Sequence, residues 1–175
     1  RGIGAAGKDN DFQIVGGDLT ASHQILSASI SCYGQVDRDR ITYRKVAHVD
    51  DAICVTGDLG GAIAGLRILM REKKHWQEED KQQAFQPDLE EYEYVVKRQL
   101  VPIARREFVQ KLRELDMLPS SMVDITQGLV SELKHIADAS DVGAYVYQAA
   151  FPISPDTRDV ANEMKEDVYK YALYG

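Results

Sequence analysis

An α/β or α+β protein, with mixed sheets covered by helices, is what this 175-residue sequence predicts. Three observations point there. The stretch 25–34, ILSASISCYG, sets Leu26, Ala28, Ile30 and Cys32 on one side and Ser27, Ser29 and Ser31 on the other, the pattern of a half-buried strand. After Gly57, residues Leu59, Ile63, Leu66 and Met70 keep helical spacing. Strand-like and helix-like stretches then take turns along the chain, separated by glycine, proline and charge.

The elements follow in order. Residues 1–10 predict a helix loosened by Gly2, Gly4 and Gly7. Gly2-Ile3-Gly4 is not a phosphate loop, because no strand precedes it. Residues 12–16 and 25–34 predict strands, and Val36–Arg40 is a charged break suited to a domain boundary. Residues 52–56, AICVT, predict a buried strand, and a Gly-rich turn at 57–61 opens a helix running to about Lys74. That strand, turn and helix start could hold an anion, or the glycines could simply allow tight packing. Residues 73–86 are polar and read as a helix end and loop. Helices are expected at 88–99, from Pro102 to Leu115, at 127–139, after Ser154-Pro155 and over 168–173. Short strands are expected at 122–125 and 143–147.

Composition narrows the function classes. The formal net charge is -7 and no dense Lys/Arg run occurs, which excludes nucleic acid and acidic membrane surfaces as main partners. No apolar stretch is long enough to span a bilayer. Cys32 and Cys54 lie in apolar runs and are expected to be buried thiols, fitting a cytoplasmic setting. The four histidines share no ligand spacing, and neither a Walker loop nor a Gly-x-Ser-x-Gly elbow is present.

Two short stretches carry chemistry. FQIVGGDLTAS (12–22) ends an apolar run in Gly16-Gly17-Asp18. This is good turn chemistry; it also lets bare backbone meet a phosphate while Asp18 offers an oxygen to a metal ion. In Asp124-Ile-Thr-Gln-Gly-Leu129, Asp124 closes an apolar run and Thr126 precedes a helix. Thr126 suits an N-cap, and the pair also suits metal-phosphate binding. Taken together, two carboxylates beside small or hydroxyl residues suggest a magnesium-nucleotide site without a Walker loop. Arg105 and Arg106 could reach a phosphate, though surface positions on a helix serve them equally well.

In order, the chain contains Gly16-Gly-Asp-Leu-Thr20, Tyr43-Arg44-Lys45, Ile53-Cys-Val-Thr-Gly-Asp-Leu-Gly60, Ala64-Gly65-Leu66, the stretch RQLVPIARR (98–106), Ser120-Ser121-Met122 and Asp124–Leu129. The set resembles thiamine-monophosphate kinase, in a version like that of Bacteroides-like bacteria. The resemblance implies ATP-dependent, magnesium-assisted phosphorylation of thiamine monophosphate to thiamine diphosphate. It implies a two-domain fold like aminoimidazole ribonucleotide synthetase, acting as a homodimer in the cytoplasm. On this reading, residues 1–37 are the end of the N-terminal ATP/magnesium domain and 38–175 an incomplete C-terminal α/β domain. By matched position, Asp18 and Asp124 are magnesium ligands, and Gly16, Gly17, Arg44 and Thr126 approach ATP. Asp124 and Arg44 are the catalytic pair. The acceptor is already a phosphate oxygen, so no strong general base is required.

The chain departs from the family where Gln127 replaces an aspartate and Val46 a glycine. Gln127 stays in the expected metal set, as a poorer ligand than a carboxylate. The chain is also expected to be incomplete at both ends, lacking the thiamine-contacting residues. Alternatives are a same-superfamily enzyme with another small acceptor, or a degenerate nucleotide-binding paralogue.

Overall fold

A computed structural model of the chain describes residues 2–78 and 87–175. The chain divides into two compact units, Arg1–Ile41 and Thr42–Gly175.

The first unit opens with helix α1, Gly2–Asn10, which buries only Gly7. Its amide ladder ends in a tight turn, with Phe12 N donating to Gly7 O at 3.0 Å. Residues 12–37 then run without regular structure to a short 3-10 turn at Arg38–Arg40.

Among the described residues, the second unit holds six further helices: α2 Gly61–Glu78, α3 Glu93–Leu100, α4 Arg106–Glu114, α5 Leu129–Ser140, α6 Pro155–Met164 and α7 Val168–Tyr174. Helix α2 starts at Gly61, the end of the Gly-rich turn, and leaves Leu59 outside it, because Gly57 and Gly60 adopt φ of +82° and +81°. It continues to Glu78, past the expected end at Lys74; residues 79–86 of the expected loop lie outside the described residues. Helix α6 forms as its sequence predicts. Pro155 fills the first position and Ser154 Oγ accepts from Thr157 N at 3.1 Å. Helix α7 is capped by Asp167, which accepts from Tyr169 N at 2.9 Å.

Packing centres on α2. Ala64 and Ile68 are fully buried against Val95 and Val96 of α3, Val160 and Ala161 of α6, and Tyr171 of α7. Burying a side chain such as Ile68 contributes about 1.5–3 kcal/mol. The α2–α3 approach is possible because Gly65 has no side chain; a Cβ there would overlap the Val95 carbonyl. A smaller cluster joins Leu59, Leu129 and Ala172, with Val55, Leu133, Phe151 and Ile153 packed on it.

Three expectations are corrected. First, the α/β or α+β fold class with mixed sheets does not hold: no strand occurs among the described residues. Alternation marks a face that could be buried, but a strand exists only when a neighbour completes its backbone hydrogen bonds. Along 25–34 no such neighbour is present, and Leu26 and Ile30 are 100% and 67% exposed. Between segments 41–44 and 121–125 a single amide bond forms, Met122 N to Tyr43 O at 3.0 Å, which is too little for a ladder. Second, Pro102 does not begin a helix. It follows the end of α3, keeping Val101 at φ −134°, ψ 66°, and α4 begins only at Arg106. Third, Cys32 and Cys54 are free and exposed, because the strands that would have buried them do not form.

Candidate functional site

In the first unit, Gly16, Gly17 and Asp18 lie in an exposed, irregular segment. Asp18 Oδ1 accepts from Leu19 N at 2.8 Å, so the carboxylate bonds the amide next to it in the chain. A Cβ at Gly16 or Gly17 would meet nothing within 4 Å, and backbone there is open to close approach by a ligand.

In the second unit the expected residues gather at the start of α5. Arg44 and Asp124, far apart in sequence, face each other at 3.9 Å with side chains 60% and 76% exposed. In water such a pair contributes at most about 1 kcal/mol. Both groups therefore stay available to a charged ligand. Next to Arg44, Val46 adopts φ +82°, a region in which a β-branched residue is strained. The glycine expected there from the family would relieve that strain.

Thr126 is not the N-cap. Gly128 fills that position at φ +87°, ψ 159°, without a side-chain cap. Gly128 is also pressed against α7, where a Cβ would lie 2.6 Å from Tyr174 Cα. Thr126 turns instead to Glu132, in the first turn of α5. Glu132 Oε1 accepts from Thr126 Oγ1 at 3.1 Å, Thr126 N at 3.5 Å and Gln127 N at 3.3 Å. Glu132 is only 4% exposed. Burial pushes its carboxyl up, but the Thr126 hydroxyl and the two amides outweigh that and hold it below the ordinary carboxylate value. Sequence reading passed over Glu132. Its signal is an acid within the first turn of a helix that starts just after a hydroxyl residue.

The Gly-rich turn before α2 is a packing site. Gly60 lies against Tyr171 and Gly61 against Arg98. Arg98 Nη2 donates to Asp58 O at 3.0 Å and pairs with Asp58 Oδ1 at 3.3 Å. Arg105 lies beside Gly57, where a Cβ would overlap its guanidinium.

Among the described residues, no three Asp, Glu, His or Cys side chains gather as a metal cluster. The donor set at hand is single exposed carboxylates at loop ends. That fits a magnesium ion taking its remaining oxygens from phosphates and water, as this ion usually does. No helix among the described residues is long and apolar enough to cross a membrane.

No family model matches the chain. The chain is 36% identical over 166 residues to the thiamine-monophosphate kinase of Escherichia coli O157:H7, covering 94% of this chain and 45% of that protein. To the Bacillus subtilis (strain 168) thiamine-monophosphate kinase it is 26% identical over 174 residues, covering 99% and 49%. The solved thiamine-monophosphate kinase of Stenotrophomonas maltophilia K279a matches with TM-score 0.63 at 31% identity, over 80% of this chain and 40% of that one. AaThiL complexed with AMPPCP and TMP matches with TM-score 0.62 at 25% identity, over 78% and 40%. The likeness to thiamine-monophosphate kinases read from the motifs therefore extends over most of the chain. The chain spans about half the length of these curated relatives.

Proposed function

We infer that this chain forms part of a thiamine-monophosphate kinase, which transfers the γ-phosphoryl group of ATP to thiamine monophosphate and gives thiamine diphosphate. The observation that carries this reading is similarity to such kinases along nearly the whole chain. The loop from Asp124 to Gln127, facing Arg44, supports it.

Arg44 would neutralise charge on the nucleotide phosphates, exchanging its weak pairing with Asp124 for a charge-assisted contact. In the first unit, Gly16 and Gly17 would let backbone approach ATP and Asp18 would offer an oxygen to magnesium. In the second, Thr126 would contact ATP through its hydroxyl oxygen, and Asp124 and the Gln127 carbonyl would offer oxygens to magnesium, which when bound supplies positive charge for the transferred group. The acceptor oxygen is already nucleophilic, so these residues work by placement and charge rather than by removing a proton. In this reading residues 1–37 complete an ATP/magnesium domain, 38–175 belong to a second domain, and the enzyme is a cytoplasmic homodimer.

The test is thiamine diphosphate formation by the full-length protein, followed by chromatography with ATP and thiamine monophosphate, with and without magnesium. Magnesium-dependent product is expected. Absence of product while ATP still binds would move the assignment to another acceptor or to a nucleotide-binding paralogue.

A further inference from the structure

Among the described residues, the buried polar side chains are Glu132 and Thr157. Thr157 has a local explanation, since it completes the Ser154 cap of α6. Glu132 does not. A buried carboxylate is costly unless hydrogen bonds satisfy it, and a capping glutamate normally reaches back to the N-cap amide. Glu132 reaches past the N-cap Gly128 to Gln127 and Thr126. Its bonds therefore shape the loop before the helix more than the helix end itself. Two successive amides and a hydroxyl converge on one oxygen, a small anion nest filled by the chain's own carboxylate.

The chemistry at Thr126 follows. Glu132 Oε1 already accepts from two amides, so it is an acceptor towards the Thr126 hydroxyl too, and that hydroxyl donates to it. Its proton is committed inward. What Thr126 presents outward is oxygen lone pairs, suited to a cation or a hydrogen-bond donor and unsuited to a deprotonated phosphate oxygen.

We propose that Glu132 is a positioning residue of the nucleotide site: it fixes the 124–127 loop and turns Thr126 into an oxygen acceptor for the cation side of a magnesium-nucleotide complex. The assignment rests on the kinase reading above. Glu132 touches no ligand and acts through Thr126 and Gln127.

The experiment measures binding of the magnesium complex of AMPPCP to the full-length protein by calorimetry, beside thermal unfolding. Glu132→Gln keeps size and removes the charge. It is expected to weaken binding about tenfold, the loss of a hydrogen bond to a charged group, while the melting temperature shifts little. Thr126→Val should weaken binding similarly, Thr126→Ser should not, and Glu132→Gln should add less than about twofold on the Thr126→Val background. A lower melting temperature with unchanged affinity would make Glu132 merely structural and overturn the assignment. So would additive losses in the double variant. If Glu132→Gln does not fold, the threonine pair decides, because equal affinity of the Val and Ser variants removes the role of the oxygen. Binding by the wild-type protein without thiamine diphosphate formation would sink the kinase reading alone; no binding at all would sink both.

Discussion

Gly65→Ala isolates the close approach of α2 and α3. In an unhindered helix this change is favourable by about 1 kcal/mol, because alanine loses less backbone entropy. Here the new Cβ would lie 2.6 Å from the Val95 carbonyl carbon and 3.1 Å from Gln99 Cβ, and would overlap the Val95 oxygen. Backbone cannot swing aside as a flexible side chain can. Restoring ordinary contact needs the helices to part by roughly 1 Å, which forfeits part of the dispersion between Ala64, Ile68, Val95 and Val96. Overpacking of this kind costs about 1–3 kcal/mol, and more where only backbone can yield, so the net loss is about 1–2 kcal/mol. At this chain length that lowers the melting temperature by roughly 2–8 °C. The control is Gly4→Ala in α1, where a Cβ meets nothing within 4 Å and only the entropic gain remains. Thermal unfolding followed by circular dichroism separates the two. A Gly65→Ala protein melting at or above the wild type would refute the packing argument.

Four further outcomes are expected. Ser154→Ala removes the oxygen that caps Thr157 N and should cost about 1 kcal/mol, read as a lower urea midpoint at unchanged slope; an unmoved midpoint would mean water replaces the cap. Val46→Gly should raise stability by about 1 kcal/mol by relieving the φ +82° backbone beside Arg44, and a loss would show that the valine side chain is needed there. The Asp51 carboxyl is held below its ordinary value of 3.8, chiefly by the Ser120 hydroxyl and then by the His48 amide. A depressed pKa contributes stability that is present above the unfolded value and lost as pH falls through the folded one. Ser120→Ala should therefore flatten the stability change between about pH 5 and pH 3, and identical urea midpoint shifts in both proteins would count against the bond. Cys32 and Cys54 should both react with a thiol reagent in native buffer, and a protein showing no reactive thiol before denaturant is added would contradict their exposure.

The sequence made the helices of the second unit readable because their signals are local. Ser154 and Pro155 fix a start, and Ile63, Leu66 and Met70 keep helical spacing within α2. The strands were misread for the opposite reason. A strand is a relation between segments, and alternation at 25–34 says nothing about which neighbour will pair with it. Arg44 and Asp124 could be named from motifs, yet their 3.9 Å meeting depends on how residues 41–44 and 121–125 come together, which no single motif encodes. Glu132 was hidden because glutamate in a first helical turn is ordinary. Only its burial, which is a tertiary property, sets it apart.

The missing side chain at Gly65 also bears on how the chain tolerates change between α2 and α3. Those helices are held by backbone-close contact, and Leu89 and Tyr92, just ahead of α3, pack on the same core. Substitution on the outward faces of the two helices, at exposed positions such as Lys74 and Lys97, is therefore a far gentler perturbation than one added methyl group at position 65.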